Sequence, residues 1–226
     1  VQHFPTNGLR NGWKMVLENR KRRKYFAIFN YTAQIVFQLF NAQIMKLLVT
    51  KLLGVIQAAS YGFAYSLAET VQRYLPAVLL LRLIKPVFVS RYVKTRDFGL
   101  LNEMARIILK LNLLILAPII VFSVMFGSDL LATLSNDKYS DAHWVLVGLL
   151  ALLVPTSHQL VLSLLAGTLE KNAMQLYAGI ASSVAFPCAL IFIPEWGPIG
   201  AVMASAVSSV VYNTFATIYL RRAGFN

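Results

Sequence analysis

The chain has 226 residues, of which 58% are hydrophobic and only 13% are charged, and its formal net charge is +12. Ordinary globular domains are about 45–50% apolar and roughly 25% charged, so this composition favours a membrane protein. The basic residues lie between apolar runs, which suits a membrane surface and argues against a nucleic-acid partner.

The first 25 residues are polar and basic, and they include the run RKRRK at residues 20–24. We interpret residues 1–25 as a cytoplasmic linker whose charge helps to orient the first membrane span. Because the printed chain starts within this polar segment, at Val1, we expect further chain to precede it.

Six apolar segments follow, each long enough, at about 20 residues, to cross a membrane as a helix. The segments cover residues 26–53, 58–83, 105–126, 142–166, 173–193 and 199–220. Together they form one predicted six-helix lobe, residues 26–222, which a short cytoplasmic tail follows at residues 223–226. Every second loop is rich in Lys and Arg, which marks the cytoplasmic side. The sequence therefore predicts an all-α, polytopic membrane protein with both ends of the chain in the cytoplasm.

Amide side chains form a stripe along the first predicted span. Asn30, Gln34, Gln38 and Asn41 are spaced by four, four and three residues, so they project from one face of a helix. Lipid offers an amide no hydrogen-bond partner. We therefore expect this stripe to face a cavity or a neighbouring helix.

A second polar stripe lies on the next predicted span, at Tyr61, Tyr65, Glu69 and Arg73. Glu69 and Arg73 are four residues apart in the order that favours an ion pair within one helix. Spans joined by a short loop usually pack side by side, so the two stripes are predicted to line one aqueous cavity. The planar charge of Arg73 suits phosphate or pyrophosphate.

The fourth predicted span carries Thr156, His158 and Gln159 at mid-depth, and we expect these residues to contribute to the same cavity. The alternative is a dry core, in which amides and hydroxyls join helices and Glu69 neutralises Arg73. Prolines inside four spans predict kinks, at Pro76, Pro118, Pro155 and Pro187. A small-residue face on the last span is assigned to helix packing, at Gly200, Ala201, Ala204, Ser205 and Ser208.

Motifs for nucleotide binding, metal binding and redox chemistry are absent from the sequence. We therefore expect no enzyme activity, no metal and no cofactor. Transport, if it occurs, would then be driven by a gradient or by a partner protein.

Four segments carry a resemblance to a known family. They are KLLGVIQAASYGFAYSLAETVQRYLPAVL at residues 51–79, IKPVFVSRY at 84–92, FGSDLLATLSNDKYSDAHWVL at 126–146 and IPEWGPIGAVMASAVSS at 193–209. In their order and spacing they resemble the Wzx-type polysaccharide and O-antigen flippases of the multidrug/oligosaccharidyl-lipid/polysaccharide exporter superfamily. The similarity covers roughly residues 26 to 222.

The resemblance implies the C-terminal six-helix lobe of a two-lobe exporter with a central cationic cavity. It implies as substrate a polyprenyl-pyrophosphate-linked oligosaccharide, moved to the outer leaflet of the cytoplasmic (inner) membrane during surface polysaccharide biosynthesis. Arg73 resembles the cavity cation for the pyrophosphate, and the amide and tyrosine stripes would meet the sugars. The implied partners are a missing N-terminal lobe, membrane lipids and polysaccharide polymerase machinery.

Three other functions are considered beside this one. The first is an exporter of drugs or metabolites from the same superfamily. The second is a membrane-embedded glycan enzyme, although the longest predicted outer loop, of about fifteen residues, is short for such an enzyme. The third is a non-transporting membrane scaffold with a dry core.

Overall fold

The computed structural model describes residues 31, 42–79, 90, 98–169 and 171–223, and every regular element in this part of the chain is helical. A short 3-10 turn, Ser140–Ala142, separates the third and fourth of the seven α-helices that the described residues form. The helices are α1 (Ala42–Leu53), α2 (Val55–Tyr74), α3 (Phe98–Ser135), α4 (His143–Thr168), α5 (Asn172–Ser182), α6 (Ala185–Trp196) and α7 (Pro198–Arg222). The prediction of an all-α protein is confirmed for the described residues.

Four stretches of the described chain are long and apolar enough to cross a membrane, namely Phe98–Ser135, Ser140–Thr168, Ala173–Trp196 and Pro198–Arg222. In the first of them only 22% of the most apolar 18 residues are buried inside the protein. Outward-facing apolar surface of this extent is what a lipid-exposed helix presents. The fold is therefore that of a multi-pass membrane protein.

These four stretches overlap the last four of the six predicted spans. The first predicted span, 26–53, lies mostly outside the described residues, and α2 in the second is not among the four. The third prediction, 105–126, is the middle of a helix of 38 residues, which at 1.5 Å per residue is about 57 Å long. A bilayer core is about 30 Å thick, so α3 extends well beyond it.

The second predicted span, 58–83, is not one continuous helix. Helix α2 ends at Tyr74, the chain bends at Leu75, and a new helical turn covers 76–79. Pro76 lacks an N–H group and cannot continue the hydrogen-bond ladder of α2. The main-chain N–H of Ala77, at the start of the new turn, donates instead to Oδ1 of Asn112 on α3.

The fifth predicted span, 173–193, is likewise two helices, α5 and α6, separated by a turn at Ser183 and Val184. Pro187 explains the break, because proline has no N–H to donate and its ring clashes with the preceding helical turn. The N–H of Phe186 donates to the carbonyl of Ser183, as in a 3-10 turn. The carbonyl of Ser182 accepts from the hydroxyl of Ser208 on α7, at 2.8 Å.

Two helical hairpins depend on glycines that allow close contact. In the α3–α4 hairpin, Nε2 of His143 lies 2.9 Å from the carbonyl oxygen of Ser123. A Cβ atom on Gly127 would lie 2.6 Å from Cδ2 of the same imidazole ring. In the α6–α7 hairpin, a Cβ atom on Gly200 would collide with the main-chain carbonyl of Phe192.

Helices α4 and α7 occupy the centre of the bundle. Helix α4 packs along both α3 and α7, while α7 also packs against α5 and α6. Helix α2 packs against α1 and α4, so the described part of the first two predicted spans lies side by side. This arrangement leaves a space bounded by helices from both halves of the described chain.

Candidate functional site

A cavity of about 400 Å³ lies between α1, α2, α4, α7 and the junction of α5 with α6. Its volume falls in the range of about 300–1,000 Å³ that is usual for small-molecule sites. Most of the side chains that line it carry hydroxyl, amide or carboxylate groups. A polar cavity inside an otherwise apolar bundle is therefore the candidate functional site.

One wall of the cavity is the polar face of α2. Tyr61, Tyr65 and Glu69 follow each other at intervals of four residues along it, and Gln72 continues the same face. The rings of Tyr61 and Tyr65 are stacked, with their centroids 6.2 Å apart. Three of the four residues in the predicted second stripe thus line the cavity, and Gln72 is a lining residue that the sequence analysis did not single out.

Arg73 does not line the cavity. Its side chain is 70% exposed, and its Nη2 atom lies 3.0 Å from Oε1 of Glu69, whose side chain is 41% exposed. The predicted ion pair is therefore present, and it places the guanidinium beside the carboxylate that lines the cavity. A second cation lies close by, since the ammonium of Lys46 on α1 is 4.2 Å from the centroid of the Tyr65 ring.

Helix α4 forms the second wall. Thr156 and Gln159 are its polar lining residues, and Leu149, Leu152 and Leu153, one to two turns closer to the N-terminus of the helix than Thr156, are its apolar ones. Thr156 and Gln159 are three residues apart and share one helix face. His158 is half-buried and does not line the cavity. Of the three α4 residues predicted for the cavity, Thr156 and Gln159 line it and His158 does not.

The third wall comes from serines that the sequence analysis had assigned to packing or had not considered. Ser205, Ser208 and Ser209 on α7 line the cavity, together with Ser182 at the end of α5. The sequence did contain a signal for this wall, because the small-residue face of α7 carries serines at helical spacing and not alanines alone. The break between α5 and α6 adds Ala185 at the start of α6.

Hydrogen bonds decide what these hydroxyl groups offer to a ligand. Thr156 donates to the carbonyl of Leu152 at 2.8 Å, and Ser205 donates to that of Ala201 at 2.9 Å. Ser208 donates to the carbonyl of Ser182, and the Ser182 hydroxyl donates to that of Gly179. A hydroxyl has one proton and two lone pairs. These four hydroxyls therefore present acceptor oxygens.

The amide stripe of the first predicted span cannot be placed in this geometry. Asn30, Gln34, Gln38 and Asn41 all lie outside the described residues. Their participation in the cavity stays a prediction. The described end of the same span contributes Met45, which is buried and lines the cavity.

Metal ligation finds no support in the described part of the chain, where no group of three His, Cys, Asp or Glu side chains comes together. Glu69 is the one carboxylate among the described lining residues. The described lining thus offers hydrogen-bonding groups and a single carboxylate.

No family model, curated protein or solved structure matches this chain. The resemblance to the flippases accordingly depends on the four sequence segments quoted above. Family membership stays a prediction, and the function is argued from the cavity.

Proposed function

We propose that this chain is the C-terminal lobe of a flippase that moves a polyprenyl-pyrophosphate-linked oligosaccharide across the cytoplasmic membrane. The observation that carries the proposal is the polar cavity of about 400 Å³ inside a bundle of apolar, membrane-spanning helices. Such a cavity can hold one or two sugar units while the polyprenyl chain stays in lipid.

The polarity of the cavity supports ligand binding over simple helix packing. Four of the lining hydroxyls are already bonded to main-chain carbonyls, so the support for a ligand comes from the amides of Gln72 and Gln159. An amide that is buried without a hydrogen-bond partner costs roughly 2–7 kcal/mol, which favours access of water or a polar ligand to these side chains. Sugar hydroxyls donate and accept hydrogen bonds, which the serine oxygens and the amides of Gln72 and Gln159 can satisfy. The stacked rings of Tyr61 and Tyr65 add an apolar surface of the kind that covers a sugar ring.

Helix breaks beside the cavity support a protein that changes shape. Discontinuous helices are common at the binding sites of transporters, where alternating access exposes one site to each side in turn. The α5–α6 break places Ser182 and Ala185 in the cavity wall. The break after Tyr74 lies just beyond Gln72 on α2. Both breaks result from prolines, Pro187 and Pro76 respectively.

In this proposal the two ends of the substrate headgroup meet different residues. The sugars occupy the cavity, and the pyrophosphate lies outside it near Arg73. The Arg73 guanidinium has five N–H donors, and its ion pair with Glu69 is made through Nη2. Asn30, Gln34, Gln38 and Asn41 would complete the sugar site, and a second, N-terminal lobe would enclose it.

The proposal also assigns a place and partners to the protein. The flippase would reside in the inner membrane with both ends of this chain in the cytoplasm. It would take its substrate from cytoplasmic glycosyl transfer and deliver it to polysaccharide polymerase machinery at the outer leaflet. Membrane lipids would contact the outward apolar faces of α3 to α7.

Transport of a lipid-linked glycan tests this function directly. The protein, purified from its own membranes and placed in liposomes, is expected to move a fluorescent polyprenyl-pyrophosphate disaccharide between leaflets. Thr156→Val removes a cavity hydroxyl and should slow this movement severalfold. Thr168→Val is the matched control, because Thr168 lies on the same helix and donates to the carbonyl four residues earlier, yet does not line the cavity. Absence of movement above that of protein-free liposomes would overturn the proposal.

A drug or metabolite exporter is the second candidate, and one observation favours it. The cavity also fits a drug-sized cation, which Glu69 and the rings of Tyr61 and Tyr65 would attract. Deletion of the protein should then sensitise cells to organic cations. If the protein is a flippase, its deletion should instead remove surface polysaccharide and leave resistance to organic cations unchanged.

A further inference from the structure

We propose that the cavity selects a sugar unit that is rich in hydrogen-bond donors and carries no acidic group. This inference rests on the proposed function and names the chemistry of its substrate. It concerns the sugars alone, since the pyrophosphate is placed outside the cavity. It follows from the charge of the described lining residues and from four lining hydroxyls that donate their protons to the main chain.

The charge of the described lining residues does not favour an anion. Among the described residues, no Lys, Arg or His lines the cavity, while the carboxylate of Glu69 does. The two nearby cations are not part of the lining: Arg73 reaches Glu69 through Nη2 from outside the cavity, and Lys46 lies over the ring of Tyr65. A uronic acid in the cavity would lie beside the Glu69 carboxylate, and no Lys, Arg or His of the described lining would pair with it, so we expect an acidic sugar to bind less well than a neutral one.

Four hydroxyl groups of the lining also favour a ligand that donates hydrogen bonds over one that carries a carboxylate. Thr156, Ser182, Ser205 and Ser208 each donate their proton to a main-chain carbonyl, so they offer oxygen lone pairs to the cavity. A carboxylate is acceptor-only and cannot pair with these oxygens. Sugar hydroxyls, amines and amide N–H groups can. Glu69 adds a further acceptor. The amides of Gln72 and Gln159 and the hydroxyls of Tyr61, Tyr65 and Ser209 can supply the donors that a neutral sugar still needs.

Two matched lipids test the selection. One carries a galactosyl-glucose on polyprenyl pyrophosphate, and the other carries a galacturonosyl-glucose, which differs by a carboxylate in place of a hydroxymethyl group. In liposomes that contain the protein, we expect the neutral lipid to move about tenfold faster than the acidic one. Equal rates, or faster movement of the acidic lipid, would overturn the inference and leave the flippase function standing. Movement of neither lipid would refute both.

Variants locate the cause of the selectivity. Glu69→Gln removes the lining carboxylate and frees Arg73, so the rate ratio should fall toward one. Glu103→Gln is the control, because Glu103 is exposed on α3 and does not line the cavity. Gln72→Arg introduces a cation into the cavity wall and should also lower the rate ratio. This second variant tests the inference even if Glu69→Gln does not fold. A ratio that neither cavity variant changes would place the selectivity elsewhere and overturn the inference.

Discussion

The buried side chain of Asn112 on α3 accepts a hydrogen bond from the main-chain N–H of Ala77, at 3.2 Å. The same amide donates to the hydroxyl of Ser157 on α4, at 2.9 Å. Asn112 is 2% exposed, so water does not replace these bonds. One side chain therefore joins the turn that follows Pro76 to the central helix of the bundle.

Replacement of Asn112 by Leu should destabilise the protein. The change leaves the buried N–H of Ala77 without a partner, which costs about 1–3 kcal/mol. The free energy of unfolding can be measured by titration with SDS in mixed micelles. Asn102→Leu, on the same helix and half-buried, should change it by no more than about 0.5 kcal/mol. Equal effects of the two changes would contradict the bridging role of Asn112.

Substitution of Gly127 by Ala should weaken the α3–α4 hairpin. The new methyl group would lie 2.6 Å from the His143 ring and would displace it from the carbonyl of Ser123. Overpacking of this kind costs about 1–3 kcal/mol, measured by the same titration. Gly62→Ala is the control, since no atom lies within 4 Å of its Cβ position, and it should be neutral or stabilising by up to about 1 kcal/mol. In a His143→Ala background the cost at Gly127 should largely disappear.

Water access to the cavity can be measured by cysteine labelling. With the single native cysteine removed by Cys188→Ala, Ser205→Cys should react with a membrane-impermeant maleimide in opened membrane vesicles. Thr168→Cys should stay unlabelled because Thr168 is buried away from the cavity. Gln34→Cys and Gln38→Cys should react as well if the amide stripe faces the same space. An unreactive Ser205→Cys would indicate a dry helix interface and favour the scaffold.

Loss of Arg73 should impair transport without unfolding the protein. The ion pair with Glu69 is exposed, and exposed pairs contribute at most about 1 kcal/mol to stability. We expect Arg73→Ala to abolish export of the lipid-linked glycan at a normal level of protein in the membrane. Arg106→Ala, which removes another exposed arginine, should leave export intact. Full export by Arg73→Ala would remove this residue from the mechanism.

Local rules predicted much of the fold and part of the site. Apolar length and loop charge indicated membrane helices, and the four-residue spacing of Tyr61, Tyr65 and Glu69 identified a single helix face that does line the cavity. The ion pair between Glu69 and Arg73 also followed from spacing alone. These features depend on the spacing of residues within one helix, and that spacing can be read directly from the sequence.

The predicted site was inaccurate where it depended on how helices are rotated against each other. Gln159 and His158 are neighbours in the sequence, yet only Gln159 lines the cavity, because about 100° of helix rotation separates them. The serines of α7 resembled a packing face, since small residues permit close contact and also leave room for a ligand. The prolines indicated kinks without showing that Asn112 and Ser208 would satisfy the main-chain groups at the breaks.

The sequence by itself determined the helical class, the membrane setting and the polar face of α2, because each arises from the composition or periodicity of a single segment. Only the tertiary structure decided which polar faces meet, that Arg73 lies outside the cavity, and that the serine protons are committed to the main chain. Those properties depend on the distances between segments that are far apart in the chain, and such distances result from the packing of the whole bundle.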